Sequence, residues 1–132
     1  MKTFLIPYVS ALIGLIIIDG TWLTLMGKSF YGKYLAHLMA PSASWVPVVI
    51  FYLLYAAGIV LFVTMPALRD GTGILKVFLM GAFLGLVAYG AYDFTNQATL
   101  KDWPVFVTVV DLAWGAMLTG IVSIISVFIS KI

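Results

Sequence analysis

The chain has 132 residues, of which 64% are hydrophobic and only 9% are charged. A soluble domain carries about 25% charged residues because its surface faces water, and a disordered chain needs low hydrophobicity. This composition therefore excludes a water-soluble enzyme and a disordered protein. The net charge of +2 is too small to indicate binding to nucleic acid, and the lack of cysteine excludes disulfides and thiolate chemistry.

Four apolar stretches are long enough to cross a membrane, which takes about 20 helical residues. In chain order they cover residues 4–26, 46–65, 74–96 and 104–129. Helices are favoured over barrel strands because the runs are long and the bilayer offers no water to the backbone. The sequence thus predicts an all-α integral membrane protein, a four-transmembrane-helix bundle in which residues 1–132 form a single transmembrane domain.

The connection between the first two spans has a helical pattern of its own. Lys28, Lys33 and His37 fall on other faces than its large apolar residues, which recur at helical spacing: Phe30, Tyr31, Tyr34, Leu35 and Leu38. This pattern predicts a short amphipathic interfacial helix between spans 1 and 2. Because His37 is the sole histidine, transition metals lack their usual ligands and we expect no metal site.

An even number of spans puts both termini on one side of the membrane. That side carries four basic residues and the other side three, which are Lys2, Arg69, Lys76 and Lys131 against Lys28, Lys33 and Lys101. Cytoplasmic loops carry an excess of Lys and Arg. We therefore expect cytoplasmic termini, with the connection over residues 27–45 outside.

Three aspartates lie inside the apolar spans. Asp19 comes seven residues before the end of span 1, Asp93 lies at the end of span 3, and Asp111 comes seven residues after Pro104. At 1.5 Å per helical residue, all three fall within about 6–10 Å of the outer boundary. An Asp at the bilayer centre costs on the order of 3 kcal/mol. Three acids at one depth therefore predict a shared site.

Aromatic and polar residues accompany these acids at helical spacing. Two spans contain Asp-x-x-Trp, which puts an indole one turn from the carboxyl. Carboxylates beside aromatic faces suit an organic cation. The predicted ligand-binding or proton-binding residues are Asp19, Trp22, Tyr89, Asp93, Asn96, Asp111 and Trp114.

Three functions fit this pattern. The first is binding of a cationic or amphiphilic small molecule. Because clustered acids repel each other's charge, at least one is expected to exchange a proton near neutral pH, so proton-coupled transport is the natural elaboration. Four helices alone make a thin wall around a pathway, so transport favours a homodimer.

The second function is a lipid-modifying membrane enzyme, with a protonated aspartate as general acid and His37 or Tyr31 near the headgroup. The third is a structural or accessory subunit whose acids lock helices together by hydrogen bonds. The sequence contains no cofactor-binding motif, so no cofactor is expected. The expected partners are membrane lipid and an unidentified small molecule.

The motifs around the acids resemble those of a known family. Ala91–Pro104 followed by Val110–Gly115 is similar to the pattern Tyr-Asp-Leu-Thr-Asn, Ala-Thr-Leu, Trp-Pro and Asp-x-x-Trp-Gly. This is the pattern of bacterial membrane proteins catalogued as domain of unknown function 2177. Phe94 replaces the usual Leu, and Gln97 a usually apolar residue. The resemblance implies a four-span protein of the bacterial inner membrane, and it implies no particular reaction.

Overall fold

The computed structural model describes residues 2–132, and within that range it contains helices and no strand. Its four long helices are α1 (Thr3–Tyr34), α2 (Trp45–Asp70), α3 (Ile74–Thr99) and α4 (Val105–Lys131). Each is long and apolar enough to cross a membrane. The prediction of an all-α membrane protein with four spanning helices is therefore confirmed.

The segment after Met26 is helical, but it continues α1 and does not form a helix of its own. An α-helix over Lys2–Met26 passes through a π-helical turn at Gly27–Tyr31 into the last helical residues, Gly32–Tyr34. The Gly32 N–H bonds to the carbonyl of Gly27, and a Cβ on Gly32 would lie 3.1 Å from that oxygen. Gly27, the first residue after the predicted end of the span, therefore lies within a widened turn.

A second π-helical turn explains why α2 runs past its predicted end at residue 65. The turn at Val60–Thr64 ends two residues before Pro66, which has no N–H to donate, and the helix then continues to Asp70. Such turns accommodate a break in the regular hydrogen-bond pattern. The helix ends at Gly71, whose φ of 64° lies in the left-handed region that glycine adopts readily.

The helix α4 is the centre of the bundle, with α3 and α1 packed closely against it. Glycine permits the approach of α3: a Cβ on Gly85 would overlap the carbonyl of Gly115, and one on Gly81 would lie 2.7 Å from the carbonyl oxygen of Thr119. The helix α2 packs mainly on α1 and approaches α3 closely only near its π-helical turn. Between the first half of α2 and the last half of α3, aromatic side chains make the contact, as where the ring centroids of Tyr55 and Tyr89 lie 6.4 Å apart.

Candidate functional site

A cavity of about 720 Å³ lies at the end of the bundle where α1 and α3 end and α2 and α4 begin. Its lining is mostly apolar and includes all four tryptophans of the chain. We call it the aromatic cavity, defined by Asp19, Trp22, Trp45, Trp103, Asp111 and Trp114.

The aromatic cavity is bordered by the first half of α2 and the last half of α3. Trp45 and Phe51 line it from α2, while Tyr89 and Tyr92 line it from α3. Of these, Trp45, Phe51 and Tyr92 are also exposed at the outer surface of the bundle. Apolar side chains of the cavity lining therefore reach the outer surface of the bundle from both α2 and α3.

Asp19 is held by donors from two other helices. Its side chain is buried, and it accepts hydrogen bonds from the Tyr52 hydroxyl on α2 at 2.5 Å and from the Trp114 indole N–H on α4 at 2.9 Å. Bonds to an ionised acceptor are stronger than bonds between neutral groups. Asp19 therefore connects α1 to both α2 and α4.

Asp111 is reached from the extended end of α1. The Tyr31 hydroxyl donates to its carboxylate, and the same hydroxyl accepts a bond of 3.0 Å from the Trp22 indole N–H. Tyr31 is not among the predicted ligand-binding or proton-binding residues, because the first span was predicted to end at residue 26. Five more residues of helix are needed to bring this hydroxyl to α4.

The two Asp-x-x-Trp motifs meet across the bundle. The rings of Trp22 and Trp114 stack with their centroids 4.1 Å apart and their planes at 9°. Because α1 and α4 are antiparallel, each indole is directed toward the acid of the other helix. Trp114 reaches Asp19 directly, and Trp22 reaches Asp111 through Tyr31.

Asp93 has a different environment from the other two acids. It is fully buried, lies beside Asp111, and neither of its carboxylate oxygens has a hydrogen-bond partner among the described residues. The Oε1 atom of Gln97, one turn further along α3, is also buried and has no hydrogen-bond partner among the described residues. Among the side chains of residues 3–132, the one ion pair joins Arg69 to Asp70, at the opposite end of the bundle.

The structure brings most of the predicted site residues together. Five of them line the aromatic cavity: Asp19, Trp22, Tyr89, Asp111 and Trp114. Asp93 is buried and does not line the cavity, and Asn96 lies closer to the end of α3, next to Tyr92. Tyr52 of α2 also belongs to this group, because its hydroxyl bonds directly to Asp19.

The three acids lie at similar but not equal depths along the bundle. Asp93 and Asp111 are neighbours, whereas Asp19 is level with Trp114, which lies three residues or about 4.5 Å deeper along α4 than Asp111. The difference in depth between Asp19 and Asp111 arises because α1 extends beyond Met26. Met26 therefore does not mark the membrane boundary. No three His, Cys, Asp or Glu side chains in the described part of the chain are arranged to hold a metal ion.

The fold and this site define a four-helix integral membrane protein with a buried acidic and aromatic centre. The family model "Predicted membrane protein (DUF2177)" matches residues 4–128. The chain belongs to this family, domain of unknown function 2177. No curated protein and no solved structure matches it.

Proposed function

We propose that this protein binds an amphiphilic organic cation in the aromatic cavity. The observation that carries the proposal is an apolar cavity of about 720 Å³ with two buried carboxyl groups, Asp19 and Asp111, in its wall. Small-molecule sites have volumes of about 300–1,000 Å³ and are lined by apolar groups with a few polar ones. The cavity fits that description in size and in composition.

The wall of the cavity supplies the two interactions that an organic cation needs. Each carboxylate has about four acceptor positions, so the hydrogen bonds to Asp19 and Asp111 leave capacity for a ligand. The stacked rings of Trp22 and Trp114 present indole faces at the same place, and indole is the best aromatic partner for a cation. The ligand's apolar part would occupy the remaining lining.

The ligand would enter from the bilayer. The exposed lining residues Trp45, Phe51 and Tyr92 give the cavity an apolar border at the outer surface, so an amphiphile dissolved among the lipids could reach it without crossing water. In this proposal the cation is transported by exchange for a proton at the acids, and the protein works as a homodimer in the bacterial inner membrane with cytoplasmic termini.

A structural role is the second candidate, and a specific observation favours it. The bonds to Asp19 tie α1 to α2 and α4, and the bond from Tyr31 ties α1 to α4 a second time. An accessory subunit would need these bonds to fix its helices and would need no ligand.

Tryptophan fluorescence tests the proposal directly, because all four tryptophans line the cavity. Protein in nanodiscs of zwitterionic lipid is titrated with dodecyltrimethylammonium, and an uncharged dodecyl glycoside with the same tail serves as the control ligand. We expect a saturable change with the cation only. Asp19→Asn and Asp111→Asn should weaken the affinity about tenfold or more, since each removes one charge from the wall.

The matched control variant is Asp102→Asn. Asp102 is exposed, does not line the cavity, and has a φ of 58°, a conformation that Asn also tolerates. It should bind the cation like the wild type. Equal responses to both ligands, or unchanged affinity in both cavity variants, would contradict the proposal. Loss of thermal stability in those variants, with no binding by the wild type, would favour the structural role.

A further inference from the structure

Asp93 is the least satisfied polar side chain of the site. Its side chain has no exposed surface, and both carboxylate oxygens are without a hydrogen-bond partner in the described part of the molecule. An unpaired buried polar group costs about 1–3 kcal/mol, and an unpaired charge costs more. A carboxylate in this position needs a compensating positive charge or a proton.

The groups that surround Asp93 indicate whether it has a compensating positive charge or a proton. Asp111 on α4 is the neighbouring acid; Tyr31 reaches that acid from α1, and Tyr92 comes from α3 itself. None of these groups is a cation. Two adjacent carboxyls away from water do not both ionise. One proton between them makes an O–H···O hydrogen bond and removes one of the two negative charges.

We propose that Asp93 is the proton carrier of the site. It shares one proton with Asp111 while the aromatic cavity is free, and it releases that proton when an organic cation binds beside Asp111. This inference rests on the proposed binding of a cation.

The exchange balances in atoms and in charge. The O–H bond at Asp93 breaks, its electron pair stays on the carboxylate, and the proton passes to bulk water. The ligand brings one positive charge to the place that loses one. An exchange that keeps the net charge constant is favoured in this apolar interior, where an uncompensated charge interacts most strongly.

The division of roles among the acids follows from their contacts. Asp19 accepts two hydrogen bonds and Asp111 accepts one, and both line the cavity. Asp93 accepts none among the described residues and does not line the cavity, so it can lose its proton without touching the ligand. The buried Oε1 of Gln97 provides an acceptor between Asp93 and the end of α3.

Proton release on binding is the first test. Protein in weakly buffered nanodiscs with a pH-indicator dye is mixed with dodecyltrimethylammonium near neutral pH. The wild type and the control Asp102→Asn should release about one proton per bound cation, and their affinity should fall about tenfold for each unit by which the pH is lowered. In Asp93→Asn, the release should be lost and the affinity should no longer depend on pH. Release that persists in Asp93→Asn would overturn the proposal.

Infrared spectroscopy of the ligand-free protein is the second test, and it needs no ligand. A protonated carboxyl band should be present at neutral pH in the wild type and in Asp102→Asn, and absent in Asp93→Asn. If Asp93→Asn does not fold, the wild-type band and the wild-type proton release still decide the question.

The two proposals fail in different ways. A wild type that does not bind the cation overturns the proposed function. Binding without proton release, or a wild type without the carboxyl band, overturns this inference alone. Stabilisation by sodium chloride but not by choline chloride, with no carboxyl band, would show that a metal ion balances the pair, and would also overturn it.

Discussion

Single side chains connect the helices of this bundle through their polar groups. Trp114 contributes in two ways: its N–H donates to Asp19, and its ring stacks on Trp22. The two contributions can be separated because phenylalanine keeps a ring and removes the donor.

Trp114→Phe should therefore lower the stability by about 1 kcal/mol, the usual size of an interhelical hydrogen bond in a membrane protein. The melting temperature in detergent measures the loss. Trp45→Phe is the matched control, since the Trp45 side chain is 71% exposed and makes no hydrogen bond in the described structure. Equal melting temperatures for the two variants would show that the bond to Asp19 contributes nothing.

At this scale the sequence predicted the acids better than their donors. Asp19, Asp93 and Asp111 could be found because a carboxyl in an apolar span is costly unless something compensates it. Tyr31 could not be placed, since its contact with Asp111 depends on the exact course of α1. Asn96 was included on helical spacing, which identifies a face of α3 but not what that face contacts.

The contact between α3 and α4 depends on glycine at the level of whole helices. Gly85→Ala adds a methyl group that would overlap the backbone of Gly115, so the helices must separate. We expect a loss of about 1–3 kcal/mol, as for other overpacked positions. Chemical denaturation in mixed micelles measures it.

Gly58→Ala on α2 is the control for that substitution, because a Cβ there meets nothing within 4 Å. It should leave the stability unchanged or raise it, since alanine favours helix more than glycine does. A Gly85→Ala variant as stable as Gly58→Ala would mean that the helices move apart at no cost.

The spans themselves were predictable at the scale of elements because their length and hydropathy are set by the bilayer. Their ends were not. Span 1 was predicted to end just before Gly27 and span 2 just before Pro66, yet both residues lie in or beside a π-helical turn within a continuous helix. Packing of Phe30 and Leu35 against Trp103 stabilises the extension of α1, and such a tertiary contact is not visible in local sequence.

The orientation of the whole molecule can be tested because the chain has no cysteine. Ser42→Cys lies in the connection after α1, and Gly73→Cys lies in the short loop before α3; both positions are exposed. With cytoplasmic termini, a membrane-impermeant maleimide should label Ser42→Cys in intact cells, and Gly73→Cys only after permeabilisation. The reverse pattern would contradict the proposed orientation.

The contacts of Asp19 also have a consequence for biosynthesis. Its two partners, Tyr52 and Trp114, come 33 and 95 residues later in the chain. The first span therefore leaves the ribosome long before its carboxyl can be compensated, and the nascent chain holds an unsatisfied acid until the last helix has been inserted. Assembly of the polar centre is thus a late event of translation, and a polypeptide stalled before α4 would present Asp19 to the quality-control machinery of the membrane.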